Sequence, residues 1–271
     1  YEPLLASMYF APYPYLLRNP YSGPAEDADL AYYHELEVLF DTMVMPDDVA
    51  AILVETIAGE GGYLVPTPRW MQMVRALCDK HGILLILDEI QTGMGRTGKM
   101  WGFEHFGIEP DIMTVAKGIA SGLPVSAVVS SKEIMDHWAP GAHGGTYGGN
   151  AVGTAAAYET LQVMKDERLV ENAAAMGELL ADGLRAIQAK HPVIGEVRGY
   201  GLMQAVEFVN PDGSPNPVAV ASVIARCQED HLLLLNCGTY DQAIRVIPPL
   251  VVNTEQIADF LTIFERAVSS L

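Results

Sequence analysis

Short apolar runs rich in Ile, Leu and Val constrain this chain more than any other feature. They occupy Ala50–Glu55, Ile83–Asp88, Ile112–Ala116 and Val125–Ser130, with a helical stretch from about Pro68 to His81 between the first two. Short apolar strands separated by helices predict a parallel sheet buried on both faces. Upstream, residues 1–28 are rich in Pro, Tyr and Gly and read as extended or turning chain, and Asp29–Asp41 reads as a helix. After Asn150 the texture changes. Ala151–Met164 and Leu169–Lys190 are Ala-rich and helical, and Gly199 and Gly201 break the chain before a strand at Met203–Phe208. A turn cluster at 210–217, a helix at Val218–Asp230 and short strands around Leu233 and Val246 follow. The last helix, from Thr254, places Ile257, Phe260, Leu261 and Phe264 on one face. The expectation is an α/β domain over residues 1–150 and a smaller α+β domain over 151–271.

Composition removes several functions. Half of the 271 residues are hydrophobic and only 18% are charged, which argues against disorder. The formal net charge of −18 disfavours unaided binding to nucleic acid or to an anionic membrane, since both need a positive surface. No apolar run near these strands is long enough to span a membrane. Cys78, Cys227 and Cys237 are odd in number and widely spaced, which reads as reduced thiols in a cytoplasmic protein. No Cys/His spacing suggests a metal site.

Three segments could carry chemistry. In LLILDEIQTG, residues 84–93, a buried strand ends in Asp88-Glu89 and puts an acid at the carboxyl edge of the sheet, where open α/β sheets bind ligands. An Asp that merely caps the next turn fits equally well. Gly93 to Lys99 nearly matches a nucleotide phosphate loop, but Met100 stands where a Mg²⁺-binding hydroxyl is needed, and the motif follows the acidic strand instead of preceding it. In Thr114-Val-Ala-Lys117-Gly118 a lysine follows a strand. Enclosed in a cleft it would be desolvated and suited to Schiff-base chemistry; alone, a snorkelling surface lysine is the simpler reading. Gly144–Asn150 (GGTYGGN) could present amides and the Thr146 hydroxyl to a phosphate, or be a flexible turn. Together they say more. Asp88, Lys117 and Thr146 follow one another at intervals of 29 residues, on successive connections of one sheet. An acid, an amine and a phosphate-type loop are what pyridoxal phosphate requires.

With those motifs, and with AGEGG at 58–62, HPVIGEVRGYGLM at 191–203 and AIRVIPPL at 243–250, the chain resembles the class III aminotransferases, pyridoxal-phosphate enzymes of fold type I. It looks most like 4-aminobutyrate and related ω-aminotransferases. The resemblance implies a mostly parallel-sheet large domain, incomplete here, and a C-terminal small domain. It implies that Lys117 is the Schiff-base lysine, that Asp88 pairs with the pyridinium nitrogen, that Ile90 packs on the ring and that Gln91 hydrogen-bonds its phenolic oxygen. Thr146 would contact the cofactor phosphate of the neighbouring subunit of a homodimer. Arg245 would bind the α-carboxylate of a 2-oxo acid, and Glu60 would pair with Arg245 when the substrate amine is not α to a carboxylate. Thr56 and Ala58 stand where the family's usual motif has Pro and Gln.

The implied reaction moves an amino group from an amine or ω-amino acid, such as 4-aminobutyrate, to 2-oxoglutarate or pyruvate. Other class III chemistries would use the same Asp88 and Lys117: acetylornithine-type transamination, dialkylglycine-type decarboxylation, or amino-group migration. The family carries a further N-terminal part that seats the phosphate and stacks on the ring, so a chain beginning at Tyr1 is expected to be truncated. An inactive fragment is then an alternative, and exposed apolar surface is expected.

Overall fold

The computed structural model describes residues 6–24 and 27–271. Tyr1, and parts of the 1–28 stretch read above as extended chain, lie outside them. Among the described residues of that stretch the chain is irregular, apart from one 3₁₀ turn at Leu16–Arg18.

The predicted strands form one sheet. Strands β1 (Ala51–Glu55), β2 (Leu84–Asp88), β3 (Ile112–Val115) and β4 (Ala127–Ser130) lie side by side in that order. The first three are parallel. β4 is antiparallel to β3 because the link between them holds only a 3₁₀ turn, Lys117–Ala120, whereas a parallel return needs a crossover of a dozen residues or more. Helix α1 (Ala28–Thr42) and helix α2 (Pro68–His81) cover one face. Pro68 starts α2, and the Thr67 hydroxyl caps it by accepting from the Trp70 N–H at 3.1 Å. Trp70, Met71, Val74 and Leu77 then meet Leu85 and Leu87 of β2. The opposite face lacks such a cover: Leu53 of β1 is 60% exposed, and Val128 of β4 on the same face is exposed. This is the uncovered apolar surface expected above.

The second sheet is antiparallel. β5 (Ile194–Tyr200), β6 (Met203–Phe208), β7 (Leu235–Cys237) and β8 (Ala243–Val246) stand in the order β5-β6-β8-β7. β5 corrects the reading at Gly199, while Gly201 does break the chain before β6. Gly199 is a strand residue paired with Gln204, and a Cβ there would lie 2.0 Å from the Met203 carbonyl oxygen. Gly201, at φ 50°, makes the tight turn to β6. Helices α5 (Leu169–Gln188), α6 (Pro217–Glu229) and α7 (Thr254–Val268) bury Leu180, Leu184, Val223, Ile257 and Phe264 against Val206, Phe208 and Ile244. α7 opens with a reciprocal cap between Asn253 and Gln256.

The sheets are tied together by the segment 13–18 and by a helix over Ala151–Asp166, among other contacts. The segment 13–18 crosses from one to the other: the Tyr13 hydroxyl donates to the Glu55 carbonyl at 3.0 Å, and Tyr15 and Arg18 reach the buried Glu207 of β6 at 2.5 and 2.7 Å. Helix α4 (Ala151–Asp166) packs on the Lys117–Ala120 turn and on α5, after a short helix α3 (Lys132–Met135).

Candidate active site

Three parallel strands end in one row. Glu55, Asp88 and Thr114 are register partners at the carboxyl ends of β1, β2 and β3. Lys117 follows β3 by one residue and has φ 45°, an uncommon backbone conformation for a side chain of this size. The 3₁₀ turn that begins with it returns the chain toward β4. Lys117 is exposed, so the desolvation expected of a cleft lysine is not realised in this chain.

Asp88 uses Oδ1 to accept the Ile90 N–H at 2.9 Å. The next acid has another task. Glu89 is fully buried and accepts from the Thr92 hydroxyl at 2.6 Å and from the Gly102 and Phe103 amides at 2.9 and 2.8 Å. Burial pushes its carboxyl up, while those hydrogen bonds hold it down. Glu89 thereby pins the 88–92 turn under the 102–103 turn and fixes where Asp88, Ile90 and Gln91 stand. Ile90 is half-buried. Gln91 packs so closely on Gly59 that a Cβ there would lie 3.1 Å from Nε2. Gln91 Oε1 and Thr114 Oγ1 are buried without a hydrogen-bond partner.

Glu55 had been given no role from the sequence, yet it stands in this row. Burial raises its carboxyl, the Gly59 N–H lowers it through a 2.7 Å bond to Oε2, Asp88 raises it and Lys117 lowers it. Its signal was already present: it ends an apolar run just as Asp88 does.

The turn after β1 carries Glu60, which forms an ion pair with Arg245 of β8 across the two sheets. Glu60 is 73% exposed and Arg245 17%. Arg198 of β5 grips the same turn, donating Nε and Nη2 to the Gly62 carbonyl at 3.0 and 2.6 Å.

Thr146 stays apart. It lies in an exposed loop that Asn150 closes by capping α4, and none of its hydrogen bonds reaches Asp88, Gln91 or Lys117. The near-match to a phosphate loop folds as a series of turns, with Lys99 donating to the Glu104 carbonyl at 2.8 Å. Among the described residues no cluster could hold a metal ion, and no helix is long and apolar enough to cross a membrane.

An α/β sheet with acids and a lysine gathered on its carboxyl edge, joined to an antiparallel small sheet that contributes an arginine, is the arrangement that the resemblance to the pyridoxal-phosphate transferases implies. The profile of the class-III aminotransferases matches residues 1–268. Over 251 residues the chain is 45% identical to the 5-aminovalerate aminotransferase DavT of Pseudomonas aeruginosa, covering 92% of this chain and 58% of that one. It is 43% identical over 250 residues to the 4-aminobutyrate aminotransferase GabT of Escherichia coli, covering 91% and 58%. A transaminase from the marine bacterium Virgibacillus superposes with a TM-score of 0.84 at 32% identity, covering 89% of this chain and 57% of that chain. The chain belongs to the class III aminotransferase family, whose members depend on pyridoxal phosphate. It spans about 58% of the length of the curated relatives it matches.

Proposed function

We propose that this chain supplies the cofactor face and the carboxylate-binding arginine of an aminotransferase that takes an amino group from an amine or ω-amino acid and gives it to 2-oxoglutarate or pyruvate. The observation that carries the reading is the row Glu55–Asp88–Thr114 with Lys117 on the next turn. The idle polar atoms in that row fit the cofactor. Asp88 has Oδ2 left to hold a proton on a ring nitrogen. The unpartnered Gln91 Oε1 can accept from a phenolic hydroxyl, and Ile90 offers an apolar surface to a ring face. When bound, pyridoxal phosphate supplies an electron sink for charge developing on the substrate carbon. Lys117 would hold and move the proton released from that carbon.

The Glu60–Arg245 pair supports use of both an ω-amino acid and a 2-oxo acid. Arg245 is neutralised by Glu60 when no α-carboxylate is present, and a carboxylate that displaces Glu60 gains a planar, bidentate partner. In this reading residues 1–150 are part of the large domain and 151–271 the small domain, and the whole protein acts as a cytoplasmic homodimer in which Thr146 reaches a neighbouring subunit's cofactor phosphate. The exposure of that loop and the three free, buried cysteines support this.

The test is borohydride trapping. The chain is incubated with pyridoxal phosphate, reduced, and its peptides mapped by mass spectrometry. A label on Lys117 that disappears in Lys117→Ala is expected; equal labelling of that variant at other lysines would sink the reading.

A further inference from the structure

Arg245 has a second neighbour on the turn that carries Glu60. Tyr63 lies three residues after Glu60 and is fully buried. Its ring clusters with Met203, Ala205, Cys237 and Ala243, and Ala205 is the register partner of Arg245 across β6 and β8. The Tyr63 hydroxyl therefore lies on the sheet face from which Arg245 projects, close enough to its guanidinium to feel it, yet among the described residues no partner meets it in good hydrogen-bond geometry while Glu60 holds Arg245. Arg245 engages Glu60 through Nη1 alone, and its Nε is also buried and unpartnered. A buried donor and a buried hydroxyl, adjacent and both idle, cost free energy for as long as they stay unmade.

The backbone shows that this placement is enforced. Tyr63 has φ 54°, a left-handed conformation that a bulky residue adopts only when its surroundings impose it. Its N–H donates to the Gly59 carbonyl at 3.1 Å, and the preceding Gly62 carbonyl is held by Arg198. Burial keeps the phenol protonated well above its ordinary range, against the pull of the nearby Arg245 and Arg96 cations. With cations near the oxygen, its lone pairs are suited to accept.

We propose that Tyr63 is a positioning residue for Arg245: when Glu60 lets go, Arg245 Nε donates to the Tyr63 hydroxyl, which orients the Nη edge of the guanidinium toward an incoming carboxylate. This rests on the reading of Arg245 as the carboxylate seat. The turn after β1 thus offers Arg245 two alternatives, an exposed carboxylate that neutralises it and a buried hydroxyl that aims it. The ligand class favoured by the second is the 2-oxo acid or α-amino acid, whose carboxylate lies next to the reacting carbon.

Two measurements on the full chain test it. In the first, solvent exchange of the Arg245 Nε–H is followed by NMR with no ligand present. Glu60→Gln should slow the exchange several-fold relative to the parent, and Glu60→Gln combined with Tyr63→Phe should restore it; no difference between the single and double variants overturns the proposal. In the second, 2-oxoglutarate binding is titrated. Tyr63→Phe should weaken it about fivefold, and Arg245→Gln should abolish it. If Arg245→Gln binds as the parent does, the carboxylate-seat reading itself falls. If Arg245→Gln loses binding while Tyr63→Phe keeps it unchanged, only the role of Tyr63 falls. Tyr63→Phe deletes a buried hydroxyl that is idle in the Glu60-paired state, so the variant should fold with stability equal to or above the parent's.

Discussion

Asp88 and Glu89 are consecutive residues with opposite surroundings. Asp88 stays half-buried in a row with Glu55 and Thr114, with one carboxylate oxygen uncommitted; Glu89 is fully enclosed, with both oxygens accepting hydrogen bonds from the 92 and 102–103 segments. Isosteric amides separate the two roles. In Glu89→Gln an NH₂ must face at least one donor, either the Phe103 amide or the Thr92 hydroxyl and Gly102 amide. Unfolding by urea should show a loss of about 1–3 kcal/mol. Asp88→Asn should cost less than about 0.5 kcal/mol and should instead weaken retention of pyridoxal phosphate, read by absorbance after gel filtration. Equal destabilisation by both changes would overturn the division of labour.

The strap at 13–18 is fastened at Glu207. That carboxylate is fully buried between Arg198 and Arg18 and also receives the Tyr15 hydroxyl. Glu207→Ala leaves the buried Arg198 with Glu196 and the neutral Gly62 carbonyl, and should cost about 3–5 kcal/mol. Arg18→Ala removes one partner of an already paired acid and should cost less, about 1.5–3 kcal/mol. Denaturant titration gives the order; the reverse order would mean that the strap, and not the Arg198–Glu207 pair, carries the stability.

The sheet strands and α2 were legible because their causes are local. A Thr-Pro start followed by apolar residues at helical spacing sets α2, and runs of Ile and Leu set β1 to β3. The positions of Asp88 and Lys117 at the carboxyl edge of the sheet were legible for the same reason, since each ends or follows such a run. Local rules misled at Gly199, where a glycine is required by the close return of β6 and not by a break. The antiparallel turn of β4 depends on a connection length that composition does not display. Arg198 and Tyr63 owe their roles to partners far away in sequence: the Gly62 carbonyl for Arg198, and the β8 face for Tyr63. Nothing in their own neighbourhoods marks them. The Glu60–Arg245 pair spans 185 residues and was anticipated through the family resemblance alone.

The three thiols should be inert while the chain is folded. Burial pushes Cys78, Cys227 and Cys237 each up to about 11. At pH 8 only about one thiol in a thousand would then be thiolate, the form that reacts. Iodoacetamide should leave all three unmodified in native buffer and label all three in urea, as counted by intact mass. Native labelling at the rate of a free thiol would show that one of the helix or strand sites opens.

Glu55 makes stability depend on pH in a direction that can be tested. Burial and the neighbouring Asp88 raise its carboxyl in the folded chain above the ordinary value of 4.5, more than the Gly59 amide and Lys117 lower it. A raised folded value means that the folded chain holds the proton more tightly than the unfolded chain. Its contribution is therefore fully present below the ordinary value and is lost as pH rises through the folded one. Glu55→Gln has no such proton, and its Oε1 can still accept the Gly59 N–H. The stability of this variant relative to the parent should therefore increase as pH is raised from about 4.5 and then level off, as measured by urea unfolding from acid to neutral pH. Lys117→Ala removes a nearby cation that favours the ionised form, so in that background the levelling-off should move to higher pH. A difference between Glu55→Gln and the parent that stays flat across the range would show that Glu55 titrates alike in the folded and unfolded chains, and that the Glu55–Asp88 row carries no electrostatic coupling.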